Sequence, residues 1–335
     1  MKKSACLHPV FSLLILCFFF FRVCIGLSAE EMSPLKSTSA YKGIKSETDK
    51  KINASIEGLY KPGLYKKTLY DLGKIDFVLN YMIYDNLEKD AFPSFFKVVR
   101  YIDNMIIFNN PEDIYKLEKR YNQAIHTLDD LEKVYRKFVD ESIEDGVIGF
   151  KSAAAYIRTL DYADYSQDKA EALLKKVLTF TKATWKQGEA LTVKGGEELT
   201  NFCLHLMLKI IEEKGMPISF HSGLQTAARN DIRWSDPELL IPFFREYKNV
   251  NFDLFHGGSP FVHEFAELGK SWPNVYLDLF WLHTISPEGA GSLLSELLKL
   301  VPIHKIFAFG GDTDIHESAI GHLEMAKENC PPVLT

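Results

Sequence analysis

Four strand-like runs of this chain end on residues able to do chemistry. Pro217-Ile-Ser-Phe-His221 is followed by Ser222-Gly223, and Val250-Asn-Phe-Asp-Leu-Phe-His256 by Gly257-Gly258. Each presents an imidazole at the end of an apolar strand, with small residues behind it that let backbone or ligand approach. Neutral imidazole is the commonest metal ligand, and two at one mouth would suit a divalent ion. Taken singly, either reads as a hydrogen-bonded core histidine; at matching places in successive units, the two read as ligands. Asp312 closes Lys305-Ile-Phe-Ala-Phe-Gly-Gly-Asp312. A carboxylate there could bind a metal or take a proton from water acidified by one, or could cap the next helix. Lys151 closes Gly146-Val-Ile-Gly-Phe-Lys151, where an ammonium is costly to leave unpaired. Carbamate, anion-binding group and salt-bridged lysine all remain open for it.

The elements that must position these residues are short. Strands are predicted over Asp76–Asn80, Lys97–Asp103, Gly146–Lys151, Pro217–His221, Val250–His256, Asn274–Asp278 and Lys305–Asp312. Helical patterns lie between them over Lys169–Lys182, Gly195–Lys214, Asp236–Tyr247, Ser259–Lys270 and Glu288–Leu300. Apolar strands alternating with helices indicate an α/β protein with a parallel sheet. Neither G-x-G-x-x-G nor G-x-x-x-x-G-K-[ST] occurs, so the phosphate-cradling signatures of open sheets are missing. His221 to His256 is 35 positions and Asp278 to Asp312 is 34, about one βα unit each. Polar residues repeating at strand ends point to a TIM-like (β/α)8 barrel, whose sites form at the C-terminal ends of the strands. Seven strands are counted rather than eight, and the first is the one missing, so the barrel is expected to be incomplete at its N-terminus. The Asp129 to Asp145 stretch, which mixes both charge signs, reads as a solvated helix.

The full chain has 335 residues, 46% of them hydrophobic, and a formal net charge of -6. That composition excludes disorder and coiled coil and offers a phosphate backbone no overall attraction, so nucleic acid is not an expected partner. Residues 1–29 read as a secretory signal peptide, with Lys2 and Lys3 before the apolar run Val10 to Phe21 and Leu27-Ser28-Ala29 as the cleavage point. Twelve apolar residues fall short of the roughly 20 that span a bilayer, so no stable membrane span is expected after cleavage, and a secreted or periplasmic location follows. Removing Lys2, Lys3 and Arg22 leaves 36 basic and 45 acidic side chains, net -9. Cys203 and Cys330 then remain, too few for a disulfide framework. Residues 30–55 are polar and read as a linker or arm, and 56–330 as one domain.

Several of these runs together resemble the amidohydrolase superfamily. FHSGLQ, FDLFHGGSPF, WPNVYLDLFWLHTISP, KIFAFGGDTD and GHLEMAKEN look like its C-terminal part, and GFKSAAAYIRTLDY looks like its fourth-strand segment. The branch it is most similar to includes uronate-isomerase-like and decarboxylase-like metal-dependent enzymes. The resemblance implies that His221 and His256 are the fifth- and sixth-strand metal ligands, and that Asp312 is the eighth-strand acid that binds metal and shuttles a proton. It implies for Lys151 a bridging carboxylated lysine or a substrate contact. Tyr156 and Arg158 match the AYxR segment, where Arg158 would hold a substrate carboxylate bidentately. Trp281 and His283 would line the pocket.

The family's first-strand H-x-H pair is absent: the only histidines before position 200 are His8 and His126. A truncated relative, a pseudoenzyme and an enzyme with a reduced site all remain open. Two His and one Asp still make three ligands, the minimum for catalytic zinc. The expected function is a metal-dependent hydrolase using Zn2+, with Mn2+ second, on a small anionic substrate, with Asp312 and Lys151 as reacting groups. The alternatives are a catalytically impaired barrel that binds a sugar acid or small carboxylate, and an isomerase or lyase of the uronate-isomerase or decarboxylase kind. The expected partner is a small molecule, and a homo-oligomer is compatible with the sequence.

Overall fold

The computed structural model describes residues 64, 66–82, 95–179, 197–226, 230–313 and 315–330. The expected signal peptide and the 30–55 arm lie outside the described residues. Among those described, seven strands form one sheet in strict chain order: β1 (Val78–Met82), β2 (Phe96–Tyr101), β3 (Val147–Ser152), β4 (Ile218–Phe220), β5 (Phe252–Leu254), β6 (Val275–Asp278) and β7 (Ile306–Phe307). Each is parallel to the next. An open doubly wound sheet would reverse its order at a switch point; here the order never reverses, which is the winding of a TIM-like barrel. All seven predicted strands are present. The ladders stop before the polar ends, however: β4 ends at Phe220, β5 at Leu254 and β7 at Phe307, so His221, His256 and Asp312 lie beyond the sheet.

Parallel strands are covered on both faces, so their apolar residues disappear from solvent. Phe150, Ile218, Phe220, Phe252, Leu254, Val275 and Leu277 are fully buried, each worth about 1.5–3 kcal/mol. Helices α1 (Pro111–Tyr121) and α2 (Leu128–Glu144) connect β2 to β3, while α3 (Gln167–Thr179) and α4 (Glu197–Glu213) connect β3 to β4. α5 (Val262–Ser271) and α6 (Pro287–Leu300) follow β5 and β6. The acidic stretch forms α2 as expected. Thr127 and Asp130 close a capping box at its start, and Leu131, Val134, Tyr135 and Phe138 face the core. The expected helix over Asp236–Tyr247 divides into a 3-10 turn at Pro237–Leu240 and a short helix at Ile241–Glu246. Pro242 stands in its first turn, where a missing N–H costs nothing. Among the described residues, Cys203 and Cys330 are free thiols.

The chain divides into two compact units, one of residues 77–310 and 329–335 and the other of residues 1–76 and 311–328. All seven strands belong to the first. In the second, the turn Lys66–Leu72 leads to Gly73, where an added Cβ would stand 2.6 Å from Ile320 Cδ1 on α7 (His316–Asn329).

The β5 and β6 entries are tied together by one buried amide. Asn274 Nδ2 donates to the carbonyls of Phe244, Tyr247 and Val250 at 3.1–3.2 Å, while its backbone carbonyl accepts from Phe252 N. Stranding buried carbonyls costs their desolvation. Asn274→Ala is therefore expected to lower unfolding stability by about 2–3 kcal/mol, read as a lower urea midpoint with an unchanged slope.

Candidate metal centre

His221 follows β4 directly and hangs from β3 through its backbone N–H, which donates to Ser152 O at 2.9 Å. Its Nε2 lies 2.6 Å from Leu224 O. A carbonyl only accepts, so Nε2 carries the proton and Nδ1 is left bare. His256 has the opposite arrangement: its Nδ1 lies 2.8 Å from Phe280 O, so Nδ1 carries the proton and Nε2 is bare. The two bare nitrogens face each other at 3.1 Å.

Both rings are buried, and burial is the main reason both resist protonation. His221 is held well below the usual imidazole range by desolvation, then by His256 and Lys151. His256 is pushed down to about 3 by desolvation and then by Lys151. Neither ring therefore supplies a proton to bridge the gap at neutral pH. A cation between them would satisfy both lone pairs. Their spacing fits one: nitrogens about 2.0–2.1 Å from a shared Zn2+ would stand about 3.1 Å apart at an angle between square and tetrahedral.

The backbone is bent to bring the rings together. His256, Gly257 and Gly258 all adopt left-handed conformations, with φ of 61°, 60° and 61°. The glycines behind the histidines are required, because a Cβ on Gly223 would collide with the Gly258 backbone and one on Gly258 would collide with Phe265. Trp281 (φ 65°) and Asp312 (φ 46°) share this conformation. Among the described residues, three of the five left-handed non-glycine positions are thus expected site residues. Such strain persists where function requires it.

Tyr156 packs on His221 with ring centroids 4.5 Å apart, and Trp281 stands edge-on to His256 at 5.9 Å. His283 donates from Nε2 to Ala308 O at 2.9 Å, and its buried Nδ1 has no hydrogen-bond partner among the described residues. Arg158 is buried, donates to the carbonyls of Thr159 and Asp161, and covers the Tyr162 ring at 4.0 Å. Its Nη1 has no partner among the described residues. Asp312 is exposed and belongs to the second unit. Among the described residues, no group of three His, Cys, Asp or Glu side chains is placed to hold a metal. The structure therefore assembles the histidine pair with Tyr156 and Trp281 beside it.

Lys151, a candidate from the sequence, is joined in the sheet by polar residues that the motifs did not reveal. Lys151, fully buried, has its ammonium 2.9 Å from the centre of the Phe255 ring. Register aligns it with Ser219 and then Asp253 across β3, β4 and β5. Ser219 Oγ donates to Asp253 Oδ2 at 2.9 Å. Asp103, at the end of β2, accepts from Ser152 Oγ and Ala153 N. The available signal was a charged residue inside the apolar run Phe252-Asp-Leu-Phe, which a buried parallel strand does not carry without a partner.

Residues 194–313, from the start of the α4 segment to just beyond β7, match the Amidohydrolase family model. Protein fluG of Emericella nidulans is 27% identical over 177 residues, covering 50% of this chain and 20% of that protein, so the chain spans about a fifth of its length. A structure described as a metal-dependent hydrolase from Lactobacillus casei superposes with a TM-score of 0.55 at 19% identity, over 79% of this chain and 67% of the other. Glucuronate isomerase from Caulobacter crescentus superposes with a TM-score of 0.59 at 16% identity, over 82% and 61%. At such identities the structural likeness is one of fold, and the sequence match is confined to residues 194–313. Both facing histidines fall within the segment that matches the Amidohydrolase model, and the chain shares the TIM-like barrel fold of these structures.

Proposed function

We propose that the chain is a metal-dependent hydrolase of the amidohydrolase-related type acting on a small anionic substrate. The observation that carries this reading is the pair of bare imidazole nitrogens 3.1 Å apart in a buried setting. His221 and His256 would hold the divalent cation, Zn2+ being best suited to two neutral nitrogens and Mn2+ second. For Asp312, the sequence resemblance alone supports the role of ligand and general base. When bound, such an ion polarises a carbonyl and makes water a nucleophile near neutral pH.

The chain's own groups supply the rest. Leu224 O and Phe280 O fix the two tautomers and turn the bare nitrogens inward, as orienting carbonyls do around metal-bound histidines. Tyr156 and Trp281 wall the approach and exclude water from the histidine pair, with His283 proposed beside them. Arg158 Nη1, without a hydrogen-bond partner among the described residues, supports an anionic substrate group, and the buried Lys151 adds positive charge. Lys2, Lys3 and the Val10–Phe21 run support export of the chain. No helix among the described residues is long and apolar enough to cross a membrane.

Two measurements test the site. Bound metal, counted by mass spectrometry, is expected at about one Zn2+ per full chain, falling to the chelated background in His221→Ala and in His256→Ala. Full occupancy in both variants would refute the ligand assignment.

The second is the acid dependence of the metal-free chain. An unfolded histidine takes its proton near pH 6.5, whereas folded His256 takes its proton only near 3. Between those values the unfolded state binds more protons, so stability is lost as pH falls through 6.5 and continues to fall toward 3. His256→Asn should flatten that slope by about 1.4 kcal/mol per pH unit, measured by thermal unfolding from pH 7.5 to 4. An unchanged slope would mean that His256 titrates normally.

A further inference from the structure

Asp253 is half-buried, with its Oδ1 shielded from solvent, and stands on the same register row as Lys151, with Ser219 between them. One carboxylate oxygen accepts from Ser219 Oγ; the other, Oδ1, has no hydrogen-bond partner among the described residues. A buried carboxylate with an uncommitted oxygen needs a positive neighbour. Asp103 differs, because Ser152 Oγ and Ala153 N are already hydrogen-bonded to its two oxygens. The Lys151 ammonium lies against the Phe255 ring, immediately before His256, and Tyr81 stands edge-on to that ring at 5.1 Å while its hydroxyl lies 3.4 Å from Ser219 Oγ.

We propose that Asp253 is a positioning residue, the counter-ion that keeps Lys151 a buried ammonium under the histidine pair, and that these two charges set how strongly His221 and His256 take a divalent cation. The second half rests on the metal reading above. Burial pushes the Asp253 carboxyl up to about 6 and Lys151 pulls against it, so at neutral pH Asp253 stands mostly as a carboxylate. The charge of Lys151 reaches both imidazoles. Unbalanced, it would repel a divalent ion; balanced by Asp253, it does so far less. A carbamate on Lys151 would require the neutral amine, so this arrangement favours Lys151 as an ammonium.

The test uses the full chain and four proteins: wild type, Lys151→Met, Asp253→Asn and the double variant. In excess chelator, each single variant leaves one buried charge alone and should melt roughly 10 °C lower, whereas the double variant should recover most of that loss. A single variant that fails to fold while the double variant folds supports the pairing equally. Additive losses would overturn the counter-ion assignment. Zn2+ affinity, measured by competition with a chromophoric chelator, should fall about tenfold in Asp253→Asn and rise about tenfold in Lys151→Met. A merely structural role would lower both. Equal affinity in all four would overturn the electrostatic role. No Zn2+ binding even in wild type would contradict the metal reading, leaving the melting cycle to decide the Lys151–Asp253 pairing.

Discussion

Two neutral imidazoles held with their lone pairs facing is the constraint around which this barrel mouth is built. Left alone, either ring would turn to offer its N–H to the other and remove the conflict. Each is prevented by a backbone carbonyl on its far nitrogen, Leu224 O for His221 and Phe280 O for His256. Those carbonyls are fixed in turn by the turns after β4 and β6. The glycines at 223, 257 and 258 let the backbones pass close enough for the rings to meet. Burial completes the device by keeping protons off both rings, since an imidazolium is far costlier than an imidazole in that interior.

The electrostatics below this pair explain why a barrel filled with phenylalanine and leucine tolerates Lys151 and Asp253. A lone ammonium would be expelled or neutralised, and a lone carboxylate likewise. Placed on one register row a step below the histidines, the two charges largely cancel at a distance while each still acts locally. The aromatic faces of Phe255 and Tyr81 take up the remainder of the ammonium's charge. Lys305 shows the same economy at the opposite end of a strand, where its buried ammonium caps α5 through the carbonyls of Gly269 and Trp272.

Much of this was legible in the sequence, and for stated reasons. The seven strands could be read because buried parallel strands are continuous apolar runs, and their functional ends because polar residues closed those runs at βα intervals. His221 and His256 could be paired from their position in successive units. Asp253 left one mark, a charge inside an apolar run, and Ser219 left none; only register reveals that they share a row with Lys151. Arg158 was recognised by motif alone, and its two bonds to local carbonyls depend on a turn that pattern does not specify. Asp312 shares a left-handed backbone with His256 and Trp281, a feature that belongs to the loop and leaves no mark in the composition.

Which histidine nitrogens carry protons decides whether the mouth is built for a cation, and nitrogen-15 NMR of histidine-labelled full chain reads that directly. In chelator, His221 should be the Nε2–H tautomer and His256 the Nδ1–H tautomer, both unprotonated from pH 7.5 down to 5. Adding Zn2+ should shift only His221 Nδ1 and His256 Nε2. A proton shared between the rings and titrating near pH 6.5, with no response to Zn2+, would mean that the pair is an ordinary hydrogen-bonded contact and no metal site.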